Sequence, residues 1–280
     1  MTARSTESPP IGVFDSGVGG LSVLRAIRQQ LQAQPVLFLA DQANVPYGSR
    51  SLAEVRALSE GITRFLLAKG ARLIVVACNT ASAAALYPLR QSFPDVPFVG
   101  MEPAVKPAAE TTHTGTVGVL ATPATFQGEL YASVVARFAA GVTILQDTCP
   151  GLVAQIEAGD LAGAETRQIL EKALLPMLAA GIDTLVLGCT HYPFVIPLIE
   201  RIIDENGERP VRVIDPAPAV ARQTHRLLEE RGWLAKGGQA GALTLWTTGD
   251  PPAFERLLPG LLGEDLPSHP ARWSNDQLTG

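Results

Sequence analysis

This chain predicts an α/β fold in two domains, and three observations predict it. Short runs rich in Val, Ile and Leu alternate with helical patterns along most of the length. Two of these runs, Leu73–Ala77 and Thr184–Gly188, lack polar alternation, as strands of a mainly parallel sheet do when helices cover both faces. The strand–helix pattern restarts after Glu102-Pro103, and a similar exit, Asp215-Pro216, follows a strand at 211–214. That layout predicts a first domain from 11–101 plus 212–262 and an inserted second domain from 102–211. Two crossing segments would join them as a hinge, with the site in the cleft between. Residues 1–10 and 263–280, polar or rich in Pro, Ser, Asn and Asp, read as weakly ordered tails.

In order, Pro10–Phe14 is an apolar strand, and Asp15-Ser-Gly-Val-Gly-Gly20 turns it into a helix patterned from Leu21 to Leu31. Glycines at such a turn let backbone N–H groups approach a ligand at the positive end of a helix. The loop lacks the Gly-Lys-Ser/Thr ending of a phosphate loop and fits the dinucleotide fingerprint poorly, so alone it reads as a tight strand–helix turn. Val36–Ala40 is the next strand, with a long loop from Asp41 to Gly48 at its carboxyl end. Ser51 and Glu54 form a capping box for a helix to about Lys69, stopped by Gly70. Strand Leu73–Ala77 presents Cys78, a helix spans about Asn79–Gln91, and Phe98–Met101 is a strand.

After the restart, strand Thr116–Ala121 leads through Thr122-Pro-Ala-Thr125 into a helix to about Phe138. Strand Val142–Gln146 runs into the segment Asp147–Glu157, and a helix near Glu165–Ala180 leads to strand Thr184–Gly188 and Cys189. Strand 211–214, helix Ala219–Glu230, strand Leu243–Thr247 and helix Pro252–Leu262 complete the pattern.

The bulk properties narrow the function. A chain of 280 residues, 46% hydrophobic and 18% charged, is large enough for two cores. A net charge of −5 without a clustered basic face argues against nucleic acid or an anionic membrane as partner. No run of about 18 apolar residues predicts a span. Met1–Pro10 lacks a signal-peptide core, and three cysteines without framework spacing read as free thiols, so a reducing cytoplasm is expected.

The chemistry rests on Cys78 and Cys189. One strand-end cysteine is usually a small buried hydrophobe. Two in matched settings, Cys78 before Asn79 and Thr80, Cys189 before Thr190 and His191, suggest halves that each present a thiol to a shared site. Each would sit at the start of a helix, where the dipole favours thiolate. Cys149, after a weaker strand and before Pro150, reads as structural. Cys78, Cys189 and His191 supply three potential metal ligands, but no Cys-x-x-Cys pair supports a metal site. A redox pair would use close spacing, and a single-nucleophile hydrolase leaves one cysteine unexplained. Inversion at a carbon uses both: one base removes a proton from one face and an acid delivers one to the other. A reference thiol pKa of about 8.5 suits such work after a modest shift.

Asp15, Asp41, Glu157 and His191 are ionisable groups at loop ends of the kind that move protons to a thiol. Asp15 could equally cap a helix, and Glu157 could be a solvated helix residue. No Lys or Arg lies in the segments Asp15–Gly20, Cys78–Ser82, Thr122–Thr125 or Cys189–Pro193. A substrate carboxylate would therefore meet neutral donors: Ser16, Asn79, Thr80, Thr122, Thr125, Thr190 and backbone N–H groups. No pyridoxal phosphate motif is present, so no cofactor is expected.

Phe14-Asp-Ser-Gly-Val-Gly-Gly-Leu-Ser22, Pro46-Tyr-Gly48, Ala77-Cys-Asn-Thr80 and Gly188-Cys-Thr-His-Tyr-Pro193 together resemble the glutamate racemases, over about Ile11 to Gly249. The resemblance implies two pseudo-symmetric α/β domains with glutamate between them, and a cofactor-independent racemase supplying D-glutamate for bacterial peptidoglycan. It implies that Cys78 deprotonates D-glutamate and Cys189 L-glutamate, with Asp15 assisting Cys78, and His191 with Glu157 assisting Cys189. Ser16, Pro46, Tyr47, Gly48, Asn79, Thr80, Thr122 and Thr190 would bind substrate, with Asp15, Thr125 and His191 completing the candidate set. Related aspartate racemases usually carry Glu where His191 stands and a different first glycine loop, which favours glutamate. Members are commonly dimers, so a homodimer is expected. A racemase or decarboxylase acting on another acidic substrate such as aspartate, or a non-catalytic binding or regulatory protein, remain the alternatives. A decarboxylase needs only one protonating cysteine, so the intact pair favours a racemase.

Overall fold

The apolar runs become strands of two separate sheets in the computed structural model, which describes residues 8–275 and 277–280. The first stretch contains β1 (Ile11–Asp15), α1 (Leu21–Gln30), β2 (Val36–Ala40), α2 (Leu52–Ala68), β3 (Leu73–Val76), α3 (Asn79–Ser92) and β4 (Phe98–Gly100). The second contains α4 (Val105–Thr111), β5 (Thr116–Ala121), α5 (Pro123–Gln127), α6 (Glu129–Phe138), β6 (Thr143–Asp147), α7 (Leu152–Glu157), α8 (Ala164–Ala179), β7 (Thr184–Gly188), α9 (Ile196–Asn206) and β8 (Arg212–Ile214). The chain ends with α10 (Ala217–Glu230), β9 (Leu243–Thr247), α11 (Pro251–Leu261), β10 (Ser268–Pro270), β11 (Arg272–Ser274) and β12 (Gln277–Thr279).

Sheet one has the order β10-β9-β2-β1-β3-β4 and sheet two β6-β5-β7-β8, and every pairing within both is parallel. This is the expected α/β class. Strands β1, β2, β3 and β7 are buried along their whole length, which explains their unbroken apolar sequences: helices cover both faces. Each Val, Leu or Ile so buried stabilises the fold by about 1.5–3 kcal/mol before the entropy of ordering is counted. Helix α2 starts on the expected capping box, with Ser51 Oγ accepting from Glu54 N at 3.3 Å and Glu54 Oε2 accepting from Ser51 N at 2.9 Å. None of the described helices is long and apolar enough to cross a membrane.

Three boundaries differ from expectation. Segment 212–214, assigned from sequence to the first domain, is β8 and pairs with β7 in sheet two. The chain leaves that sheet only at Asp215-Pro216, where Asp215 Oδ1 accepts from Ala217 N at 2.8 Å and α10 begins. The helix expected through Phe138 breaks at Gly128, whose extended backbone (φ −71, ψ 138) separates α5 from α6. The tail 263–280 is ordered among its described residues. Strand β10 extends sheet one beside β9, β11 and β12 form an antiparallel hairpin, and Ala271 and Leu278 are buried in the core around α2 and β3. Composition hid this because the anchors are isolated apolar residues in a polar stretch. At the other end, residues 1–7 lie outside the described residues, while Ser8–Pro10 are half-buried, with Pro9 O accepting from Gln34 Nε2 at 2.7 Å.

Candidate active site

The carboxyl ends of β1, β2, β3, β5 and β7 converge where the two halves meet, as ligand sites of such sheets do. Cys78 follows β3 and is the N-cap of α3, its Sγ accepting from Ala81 N at 3.4 Å. Its thiol also lies 3.7 Å from Ser16 Oγ. Ser16 in turn donates to Asp15 Oδ1 at 3.3 Å, so Asp15 reaches Cys78 through a hydroxyl rather than directly. Asp15 also accepts from Gly17 N at 2.9 Å, which folds the loop, and through Oδ2 from Thr190 Oγ1 of the other half at 2.9 Å. Burial pushes Asp15 above the usual carboxyl range, against the pull of His191, the Gly17 N–H and the Thr190 hydroxyl. Burial and the neighbouring Asp15 push Cys78 up to about 12, so the helix-start setting does not leave a resting thiolate there.

Cys189 follows β7, but the expected helix start is absent: a short 3-10 turn over Tyr192–Val195 intervenes, and α9 begins only at Ile196. His191 takes the place of a dipole. Its Nδ1 lies 3.8 Å from Cys189 Sγ and its Nε2 2.7 Å from Glu157 Oε1. Glu157 Oε1 accepts from Val18 N at 2.8 Å, and Oε2 from Gln42 Nε2 at 3.1 Å. Burial disfavours the charge on Glu157, but His191, the Val18 N–H and the Gln42 amide outweigh it and hold the carboxyl below its usual range. Burial likewise opposes the imidazolium, yet Cys189 and Glu157 hold His191 well above the ordinary histidine value. Each thiol therefore has its own line of polar groups: Cys78–Ser16–Asp15 on one side, Cys189–His191–Glu157 on the other.

A small pocket lies between the thiols, lined by Ser16, Pro46, Tyr47, Gly48, Cys78, Asn79, Thr80, Thr122, Val153, Cys189, Thr190 and His191. No lysine or arginine lines it. Asn79 is 3% exposed, and neither its Oδ1 nor its Nδ2 has a partner, so an amide able to donate and accept stands ready at the wall. Among the described residues no group of three or more His, Cys, Asp or Glu is arranged to hold a metal ion.

The Asp/Glu/Hydantoin racemase family model matches residues 11–224, which contain both thiols and their partners. The chain belongs to that family. A glutamate racemase of Pseudomonas paraeruginosa is 53% identical over 259 residues, covering 92% of this chain and 96% of that protein. The solved Escherichia coli glutamate racemase, in complex with L-glutamate and the activator UDP-MurNAc-Ala, has a TM-score of 0.78 at 34% identity, covering 93% of this chain and 97% of that one. That of Francisella tularensis, in complex with D-glutamate, has a TM-score of 0.80 at 28% identity, covering 93% and 96%. The protein is an amino-acid racemase.

The racemase pocket contains most of the residues singled out from sequence. Four candidates stand behind the lining instead of in it. Asp15 and Glu157 support it as described. Thr125 Oγ1 is 2.9 Å from Thr122 Oγ1, which is 2.9 Å from Thr80 Oγ1 across the cleft. Asp41 Oδ2 accepts from Tyr47 OH at 2.6 Å. Burial and Asp41 push the Tyr47 phenol well above its usual value, so it stays protonated as a donor to Asp41. Sequence reasoning missed Gln42, Val18 N–H and the apolar wall residue Val153. Gln42 sits beside a residue already singled out, in a loop at a strand's carboxyl end, and that placement was the available signal. Cys149 is buried, as expected of a structural thiol.

The glycine loop proves to be more than a tight turn. A Cβ on Gly17 would lie 1.9 Å from Glu157 Oε1, and one on Gly19 would lie 2.4 Å from His191 Nδ1 and 2.6 Å from Thr190 Oγ1. These glycines let the Cys189 side of the site seat directly on the first loop, so they admit protein side chains where a nucleotide loop would admit phosphate.

Proposed function

We propose that this racemase interconverts L- and D-glutamate by proton transfer between two thiols. The observation that supports the reading above all is that two buried cysteines, one from each half, line a single small pocket. A thiolate on one face takes the Cα proton, forming S–H and leaving the electron pair on carbon. The thiol on the other face gives its proton to that carbanion and becomes the thiolate, so protons and charge balance without an oxidant or reductant. Cys189 serves L-glutamate and Cys78 D-glutamate. Burial keeps Cys78 a thiol, so it stands ready as the proton donor in the L-to-D direction.

Neutral donors hold the substrate. Asn79, Ser16, Thr80 and Thr190 surround the reacting end, and the Tyr47 loop with Thr122 receives the distal carboxylate. A substrate one methylene shorter leaves buried donors unpaired, so glutamate is favoured over aspartate by powers of ten in the specificity constant. The similarity to glutamate racemases solved with each enantiomer supports the same substrate, and D-glutamate would serve peptidoglycan synthesis.

Circular dichroism of L-glutamate incubated with the protein tests this: the signal should decay to zero, and a constant signal would sink the reading, as would comparable turnover of aspartate. In D2O the product antipode should acquire deuterium before recovered substrate does. Early labelling of the starting enantiomer at least as fast would mean one base exchanging on one face.

A further inference from the structure

Asp41 is fully buried, and four neutral side chains converge on its carboxyl group. Oδ2 accepts from Tyr47 OH at 2.6 Å, and Asn44 Nδ2 reaches both oxygens at 3.1 and 3.0 Å. Oδ1 accepts from Thr248 Oγ1 at 2.7 Å and from Trp273 Nε1 at 2.8 Å. Two of these donors belong to the loop that carries Asp41, one to the exit of β9, and one to the C-terminal hairpin. Only Tyr47 among them touches the pocket.

The topology explains how a residue so late in the chain reaches this point. Strand β10 lies parallel to β9 with Pro270 opposite Thr247, so the chain leaves sheet one at its carboxyl edge, where Ala271 N donates to Thr247 O at 2.8 Å. The hairpin then turns back with Trp273 opposite Leu278. Leu278 is buried in the same apolar cluster as Tyr47 and Cys78, and the Trp273 ring packs against that cluster. The hairpin is thus placed from both sides, by its apolar seat and by the indole N–H.

We propose that Trp273 is a positioning residue of the substrate pocket: through Asp41 it fixes the Tyr47 phenol, and with it the Pro46–Gly48 wall that faces the substrate. A buried carboxyl group that loses one donor redistributes the others. The Tyr47 hydroxyl, whose only hydrogen bond among the described residues is to Asp41, is the donor whose displacement changes the pocket. The role is therefore in binding, and the proton transfer between the thiols is untouched.

The inference rests on glutamate being the substrate, so the wild type is assayed beside Trp273→Phe, Tyr47→Phe and the double variant, with KM and kcat for both enantiomers and thermal midpoints. Trp273→Phe should raise KM about two- to tenfold with kcat close to wild type, the scale of one hydrogen bond to a buried acceptor. In the Tyr47→Phe background the same change should raise KM little further, because the path to the pocket is already cut. An unchanged KM in an active Trp273→Phe variant, whatever its thermal midpoint, overturns the inference, as do KM effects that multiply in the double variant. A wild type that does not racemise glutamate overturns the substrate reading instead, and with it this one.

Discussion

Replacing Glu157 with Gln tests the poise of the Cys189 side with unusual economy, because it removes a charge and leaves every hydrogen bond available. Glu157 Oε1 accepts from His191 Nε2 at 2.7 Å and Val18 N at 2.8 Å, and an amide oxygen in the same place can accept both. The amide nitrogen then faces Gln42, which can turn its own amide to accept, since its other contact is the adaptable hydroxyl of Thr247 at 2.8 Å. Volume is conserved beside Gly17, where there is no room to spare. What is lost is the difference between a charge-assisted hydrogen bond, about 1.5–3 kcal/mol, and a neutral one, about 0.5–1.5 kcal/mol. That difference, about 1–2 kcal/mol, corresponds to about a five- to thirtyfold fall in kcat and to a fall of about one unit in the His191 pKa. A kcat–pH series by circular dichroism should show the alkaline limb displaced toward acid by that amount. Because the two enantiomers are equal in energy, kcat/KM must fall alike in both directions while the two kcat values need not. Wild-type kcat with an unmoved limb would show that the Glu157 charge does not poise His191, and the Cys189 line as drawn here would have to be abandoned.

Cys78→Ala and Cys189→Ala should each nearly abolish racemisation while glutamate binding, followed by calorimetry, persists; the double variant should be little worse than either, since the pair acts as a unit. Substantial turnover by either single variant contradicts the two-thiol reading. Gly19→Ala drives a methyl group into His191 and Thr190, so it should destabilise by about 1–3 kcal/mol in denaturant unfolding and cut kcat more than a comparable core substitution. Stability should also carry a pH signature. Glu157, held below its usual 4.5, stabilises fully above that value and loses its contribution as pH falls through the folded pKa. His191, held well above 6.5, stabilises fully below that value and loses its contribution as pH rises through its folded pKa. The pair therefore contributes most between 4.5 and 6.5, and the thermal midpoint of Glu157→Gln should vary less across that window's edges than that of the wild type.

The parts of the fold legible in sequence were those written as patterns of one kind. The buried strands announce themselves by unbroken Val, Ile and Leu, and Ser51 with Glu54 marks a helix start by chemistry alone. The hairpin of β11 and β12 does not, because two or three anchors such as Trp273 and Leu278 suffice to seat it and carry no period. At the site, the thiols and the small polar residues after them were legible because they share a setting at strand ends. The division of labour among the carboxyl groups was not. Asp15, Asp41 and Glu157 look alike in sequence, yet one reaches a thiol through Ser16, one holds a loop, and one charges the histidine beside Cys189. Those differences come from partners far away in the chain: Thr190 for Asp15, Trp273 for Asp41 and Val18 for Glu157.

The hydrogen bonds that cross the cleft are largely the ones that align the site. Thr190 to Asp15, Val18 and Gln42 to Glu157, and Thr80 to Thr122 each join one half to the other. Ser22 Oγ adds another, 2.9 Å from Thr190 O. Any opening between the halves wide enough to admit a substrate has to break several of them together, and in breaking them it strips Asp15 and Glu157 of donors from the opposite half. Entry and chemistry must therefore alternate in time. While the cleft is open each thiol keeps the partners of its own half, but Asp15 and Glu157 behind them lack their cross-cleft donors; on the proposed mechanism the way out is shut while a carbanion exists. Bulk water then meets the reacting carbon only before the first proton leaves and after the second has arrived.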